Sequence, residues 1–223
     1  MSKLVIKPPI VQVAIDVLNI DAALKIAEAA VKAGVDWLEI GTPLVTFAGV
    51  SAIGALARAF PGVPVLADYK MMDGVRKYVV ETAKQGGHIA TICSVASDAS
   101  IQEAVRAATD SDVVLITDLY AAPNVAERAA QMQSFGVDSV YVHWGADQRN
   151  AMPDRDALLD LPAVLESVSI PVGIGTFSIE QGIRAFEMGA SIAVIGVPLI
   201  QAEDVEGALR EYVERSKSAY RGR

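Results

Sequence analysis

The chain has 223 residues, 52% of them hydrophobic and 6% aromatic, and a formal net charge of −8. That length and apolar content suffice for one large core or two small ones, and the acidic balance argues against a nucleic-acid-binding surface while leaving room for a small anion at a locally positive site. A single cysteine, Cys93, excludes an intrachain disulfide and suits a reducing cytoplasm; no uncharged apolar run approaches the ~20 residues of a membrane helix, and the opening MSKLVIKPPIVQVAID lacks a signal peptide's apolar segment.

In chain order the sequence alternates. Strand-like runs begin near Val11, Val35, Pro64, His88, Val113, Ser139, Pro171 and Ser191, at steps of about 20–30 residues that suit one strand plus one helix. Asp21 is the expected N-cap of AALKIAEAAVKAG, which Gly34 ends. VSAIGALARAF leads to the Pro61-Gly62 turn, and VRKYVVETAKQGG ends on glycines. Ser100 opens IQEAVRAAT, Asn124 precedes VAERAAQMQSFG, and Ser178 caps IEQGIRAFEMG with Gln181 placed for a capping box. A last helix is expected from about Val205 to Tyr220, and the basic tail RSKSAYRGR is expected to fray.

Eight nearly continuous apolar strands between helices imply a parallel sheet covered on both faces. Eight units in this length predict an α/β fold closed as a single-domain (β/α)8 TIM barrel over about residues 10–215. The competing open doubly wound sheet would want a glycine fingerprint after its first strand, and VQVAIDVLN has none. No composition shift divides the chain.

Barrel closure turns scattered polar residues into a set, because chemistry in this fold sits at the C-terminal strand ends. Strand 1 ends in Asp16. Strand 2 carries Glu39, with Thr42 just beyond. Strand 3 delivers Asp68 and Lys70, which should share a face, with Asp73 following in the loop. Strand 5 ends in Asp118 and strand 6 carries His143. Taken singly, each has a plain structural reading: an ion pair closing a strand end, an Asp bonding loop amides, a satisfied strand histidine. Together, Glu39 and Asp68, with Asp16 near, offer hard oxygen ligands for Mg²⁺. Lys70 beside a metal would stabilise an oxyanion such as an ene-diolate, and His143 would move a proton near neutral pH. Cys93 has no histidine adjoining it in sequence and reads as a buried inert thiol.

The second half should carry the substrate's anionic end. Gly173, Gly175 and Thr176 lie at the end of strand 7, and Gly196 and Val197 at the end of strand 8. These are places where such barrels bind phosphate through backbone amides. Ordinary βα turns use the same residue types, and both readings stay open on these residues alone.

The phrases VQVAID, LEIGTPL, ADYKMMDG and VHWGADQ, and above all the spacing Asp68-x-Lys70-x-x-Asp73, resemble the orotidine-monophosphate decarboxylase superfamily from Val11 to Ile200. Within it the chain is most similar to the 3-hexulose-6-phosphate synthase branch, with the 3-keto-L-gulonate-6-phosphate decarboxylase branch as near relative; that branch commonly carries Arg where Ala146 stands. The resemblance implies that Glu39 and Asp68 bind Mg²⁺ with Asp16 close by, that Lys70 holds the ene-diolate oxygen, and that His143 relays protons. It also implies a homodimer in which Asp73 reaches the partner's site, and a small phosphorylated sugar as substrate. The first expectation is condensation of formaldehyde with D-ribulose 5-phosphate. A decarboxylase is the alternative, and an epimerase or isomerase, or a non-catalytic ligand-binding barrel, are further ones. The chain departs from the pattern at Tyr69 and Met71, at Gly74-Val75, and in the loops Gly175-Thr176 and Gly196-Val197-Pro198, where Pro198 removes a backbone donor. The metal and lysine half is intact, while the phosphate half is altered.

Overall fold

β-Branched and aliphatic runs form eight strands, and amphipathic runs form the helices between them. The computed structural model describes residues 3–222. In chain order its elements are β1 (Ile10–Ile15), α1 (Ile20–Lys32), β2 (Trp37–Ile40), α2 (Thr42–Ala48), α3 (Ser51–Ala59), β3 (Val65–Met71), α4 (Arg76–Lys84), β4 (Ile89–Cys93), α5 (Asp98–Asp110), β5 (Val114–Asp118), α6 (Val125–Phe135), β6 (Ser139–Val142), α7 (Ala146–Ala151), α8 (Leu161–Ser167), β7 (Val172–Thr176), α9 (Ile179–Glu187), β8 (Ile192–Ile195) and α10 (Val205–Ser218), with a 3₁₀ turn at Leu199–Gln201. The strands form one closed parallel barrel in sequence order, and β8 returns to β1 with Ile192 opposite Ile10. This is the expected single-domain (β/α)8 barrel.

Period two divides the side chains of each strand between lumen and outer shell. Ile10, Trp37, Leu66, Ile89, Val114, Ile116, Tyr141 and Ile192 fill the lumen floor as one apolar cluster, and Leu4 and Ile6 pack against it. Side chains of the other parity, such as Val11, Val13, Leu38 and Ile40, meet the helices in the outer core. Each fully buried Leu, Ile or Val contributes about 1.5–3 kcal/mol by leaving water. Continuing the lumen parity toward the strand ends reaches the polar residues of the mouth, so floor and site are two levels of one packed interior.

Local signals place some helix starts differently. Asn19, not Asp21, caps α1, its side chain accepting from Ala22 N at 2.9 Å. Asp21 falls in the first turn, where it complements the helix dipole. Ser97, not Ser100, caps α5 by accepting from Ser100 N at 3.1 Å. Ser178 caps α9 as expected, accepting from Gln181 N, while the Gln181 side chain accepts from Phe177 N instead of closing the box on the cap itself. The tail is held further than its basic composition suggests. Ser216 is buried, Lys217 Nζ lies 2.6 Å from Asp36, and Tyr220 packs edge-on to Phe186 at 5.8 Å. Met1, Ser2 and Arg223 lie outside the described residues. Among the described residues no single helix is long and apolar enough to cross a membrane.

Candidate active site

The C-terminal mouth of the barrel opens into a cavity of about 670 Å³ whose wall includes Asp16, Glu39, Thr42, Asp68, Lys70, Asp118 and His143. The convergence expected from strand ends is therefore present. β3 builds its centre. Thr91 Oγ1 donates to Asp68 Oδ1 at 2.7 Å and Thr42 Oγ1 donates to Oδ2 at 2.6 Å. Lys70 Nζ forms an ion pair with the same Asp68 oxygen, donates to Thr42 Oγ1 at 3.0 Å, and lies 3.7 Å from Asp118 Oδ2.

Asp68 and Lys70 do share the lumen, but β3 is not regular there. Its pairing with β4 shifts between Ala67 and Met71, and Lys70 has φ of 49°. The Lys70 N–H donates to the side-chain hydroxyl of Thr91 on β4 instead of to a backbone carbonyl. A left-handed non-glycine residue stores of order 1–3 kcal/mol and persists only where its surroundings hold it, and here the hydrogen bond to Thr91 and the ammonium's carboxylate partners do so. The bulge also turns the chain, so Asp73 is exposed and outside the cavity.

Charge at the site is uneven. Burial alone would make the Lys70 ammonium easier to deprotonate, but Asp68 and Asp118 reverse that and hold it charged. Glu39 is only 7% exposed, and Gln12 is its one hydrogen-bond donor among the described residues, at 2.5 Å. Burial first, and then the charges of Asp68 and Asp16, push its carboxyl well above the usual range. Asp16 stands at the rim, against Gly41, where an added Cβ would lie 2.1 Å from Asp16 Oδ1. Partial burial of its carboxyl and the Asp68 charge raise it too. Glu39 and Asp16 thus join the ion-paired Asp68 as three carboxyl groups in one cavity wall. No three His, Cys, Asp or Glu side chains among the described residues form a protein-only cage. Glu39 and Asp68 are the oxygen donors that could hold a cation such as Mg²⁺, which takes one or two carboxylates and completes its shell with water and substrate oxygens.

His143 Nδ1 donates to Asp118 Oδ2 at 2.8 Å, and Asp118 Oδ1 accepts from Tyr120 N at 2.9 Å. Burial disfavours the imidazolium, but Asp118 outweighs it and raises His143 above its ordinary 6.5. Burial would raise Asp118, yet His143 and Lys70 hold it below 3.8. The His143 contribution to stability is thus full below pH 6.5 and is lost as pH rises through the raised folded value. The Asp118 contribution is present above pH 3.8 and is lost as pH falls through its depressed value. His143→Gln should flatten the decline of unfolding free energy above pH 6.5, read by denaturant titration across pH 5.5–9; an unchanged slope would remove the pair from the pH dependence.

The expected anion residues separate. Gly175, Gly196 and Val197 line the cavity, as does Thr176. The Thr176 hydroxyl is committed, however, donating to Val194 O at 2.8 Å and bonding Tyr212 OH at 2.6 Å. Gly173 does not face the cavity. A Cβ there would lie 2.4 Å from the Tyr141 ring, so this glycine makes room for Tyr141. Gly196 has a packing role as well, since its Cβ would meet Ala14 O at 3.0 Å. Cys93 is buried and its thiol is pushed up to about 11, chiefly by burial and then by Asp118, in keeping with an inert thiol.

Several wall residues were not anticipated. Tyr141 OH donates to Gln12 Oε1 at 2.7 Å, and Gln12 in turn holds Glu39. Gln12, Thr91 and Tyr141 were findable, as polar groups at lumen parity inside otherwise apolar strands. Arg149 and Phe177, which stack on one another in the wall, had no such signal.

Residues 9–212 match the family model described as Orotidine 5'-phosphate decarboxylase / HUMPS family. The 3-hexulose-6-phosphate synthase 3 of Staphylococcus saprophyticus is 33% identical over 202 residues, covering 89% of this chain and 94% of that protein. The 3-hexulose-6-phosphate synthase of Staphylococcus epidermidis is 37% identical over 165 residues, 74% of this chain and 78% of that one. A crystal structure of a 3-hexulose-6-phosphate synthase superposes with a TM-score of 0.86 at 32% identity, over 95% of this chain and 99% of the other. A 3-keto-L-gulonate-6-phosphate decarboxylase from Vibrio cholerae shares the fold, with a TM-score of 0.78 at 20% identity over 96% and 99% of the two chains.

Proposed function

The chain belongs to the orotidine 5'-phosphate decarboxylase / HUMPS family, and on that premise we propose that it is a carbon–carbon lyase of the 3-hexulose-6-phosphate synthase kind, joining formaldehyde to D-ribulose 5-phosphate through an ene-diolate. The observation that carries the reading is Lys70, an ammonium paired with Asp68 and near Asp118 at the wall of a cavity it shares with the carboxyl groups of Glu39 and Asp16. Full-length likeness to chains named for this activity supports the synthase over the decarboxylase.

Glu39 and Asp68 would hold Mg²⁺, which when bound supplies a Lewis acid for the ketose oxygens. The remaining work falls to the chain's own groups. Lys70 Nζ donates to the oxygen that becomes negative when the C1–H bond breaks, and it does so from a fixed position, with little reorganisation. His143, oriented by Asp118 through Nδ1, presents Nε2 for that proton. C1 then bonds the formaldehyde carbon, and the alkoxide formed takes the proton back, so the balance closes with no further reactant. Asp73, exposed next to Met72 in the loop after β3, would enter the partner's site in a homodimer.

Purified protein assayed for formaldehyde consumption with D-ribulose 5-phosphate, and separately for CO₂ release from the keto sugar-acid phosphate, tests the reading. Formaldehyde should be consumed, and EDTA should stop the reaction until Mg²⁺ is restored. CO₂ release without formaldehyde incorporation would move the chain to the decarboxylase. Ketose interconversion alone would make it an epimerase or isomerase, and full activity in a monomer would remove Asp73's shared role.

A further inference from the structure

His143 stands in the cavity wall with its side chain 30% exposed. Its one hydrogen bond among the described residues, from Nδ1 to Asp118, does not by itself fix the plane of the ring. Tyr120 supplies that constraint. Its ring lies in the same wall, with its centroid 5.3 Å from that of the imidazole and its plane tilted by 58°, a separation and tilt that aromatic pairs favour. Among the described residues the Tyr120 side chain has this ring contact and no hydrogen bond, so the ring and not the hydroxyl is in use.

Three features seat Tyr120. Its N–H donates to Asp118 Oδ1 at 2.9 Å, while Asp118 Oδ2 accepts from His143 Nδ1 at 2.8 Å and lies 3.7 Å from Lys70 Nζ. One residue after β5 thus grips the carboxylate with its backbone and the imidazole with its side chain. Ala122 N donates to Leu119 O at 3.1 Å, closing a tight turn with Tyr120 and Ala121 at its centre. Ala121 has φ of 58°, a conformation that turns ordinarily give to Gly or Asn, and a strained alanine survives there only because the turn is held from outside. Against the ring stands Gly145, where a Cβ would lie 2.5 Å from Tyr120 Cε2. Gly145 has φ of −69°, open to any residue, so room for the ring and not the backbone calls for glycine.

We infer that Tyr120, seated in the notch left by Gly145, is a positioning residue that fixes the plane of His143 and so aims its Nε2 at the reacting carbon. The inference rests on the ene-diolate reading, in which His143 takes the C1 proton, and adds the group that orients it.

The test uses the full chain and the variants Tyr120→Leu, Tyr120→Phe, Gly145→Ala and His143→Gln, with thermal unfolding to confirm that each folds. Tyr120→Leu should lower kcat for condensation about 3- to 10-fold, the worth of an aromatic pair, with KM for D-ribulose 5-phosphate within about twofold. It should slow C1-hydrogen exchange in deuterated water by the same factor. Gly145→Ala, whose Cβ displaces the ring, should do likewise, and Tyr120→Phe, which keeps the ring, should recover most of the loss. In a His143→Gln background Tyr120→Leu should have no further effect, because a residue acting through His143 then has nothing to orient. Proton NMR adds a readout free of turnover. The Nδ1 proton of His143, assigned by its absence from His143→Gln, should be visible in the parent and in Tyr120→Phe and lost by exchange in Tyr120→Leu; His88 Nδ1 accepts from Val65 N and carries no such proton. If the parent turns over the ketose phosphate and Tyr120→Leu leaves kcat unchanged, or lowers it equally with and without His143, the inference is overturned and the functional reading stands. Tyr120→Phe as slow as Tyr120→Leu would put the hydroxyl in the chemistry and overturn it as well. If the parent turns over no ketose phosphate, that reading falls, and the NMR signal alone decides the inference, an unchanged Nδ1 proton in Tyr120→Leu overturning it.

Discussion

Lys70→Met should lose at least about 100-fold in kcat, because removing one donor to a developing oxyanion typically costs 10²–10³. Its ammonium has no substitute: among the cavity-lining side chains Arg149 is the only other Lys or Arg, and it is stacked on Phe177. The barrel should still fold. Asp68 keeps Thr42 and Thr91 as donors, and Asp118 keeps His143 and Tyr120 N. Methionine matches the alkyl stem, so the loss of stability should be about 1–3 kcal/mol, the cost of leaving a buried carboxylate less well satisfied. The informative readout is exchange of the C1 hydrogen of D-ribulose 5-phosphate in deuterated water without formaldehyde, which isolates formation of the ene-diolate. Lys70→Met should abolish exchange as well as condensation. Exchange at the parent rate would place Lys70 outside proton removal, and a kcat within tenfold of the parent would remove it from the chemistry.

Gly173→Ala should cost about 3 kcal/mol, the upper end of ordinary overpacking, and lower the melting temperature by roughly 6–12 °C for a chain of this size. The added Cβ would sit 2.4 and 2.5 Å from Cε1 and Cδ1 of Tyr141, a ring only 8% exposed and packed in the lumen floor. The ring cannot move aside freely, because Tyr141 holds Gln12 and Gln12 holds Glu39. Activity should therefore fall together with stability. Gly173→Ala combined with Tyr141→Leu should recover much of the stability but not the activity. Were Gly173 instead a point of close approach for a bound phosphate, the single variant would raise KM and leave the melting temperature in place, and that result would overturn the packing role.

Much of the site was legible because its residues stand at period-two positions of apolar strands. Asp16, Glu39, Asp68 and Asp118 break runs of valine, isoleucine and alanine where each strand stops, and a barrel has only one place to put strand ends. Gln12, Thr91 and Tyr141 follow the same parity one or two steps deeper and were legible in principle. The glycines were not. Gly173, Gly175 and Gly196 look alike in sequence, yet one makes room for a ring, one borders open space and one abuts a neighbouring carbonyl. Thr176 looked like a ligand donor until its hydroxyl was found facing Tyr212, 36 residues away.

By itself the sequence determined the eightfold alternation, the side chains that face the lumen, and the set of acids, lysine and histidine gathered at one mouth. These follow from local periodicity, which depends only on near neighbours along the chain. The tertiary structure alone decided the left-handed turn at Lys70, the separate uses of the three glycines, the commitment of Thr176 and the stacking of Arg149 on Phe177. Each of these depends on contacts between residues far apart in the chain, and such contacts exist only once the barrel has closed with a definite register between strands.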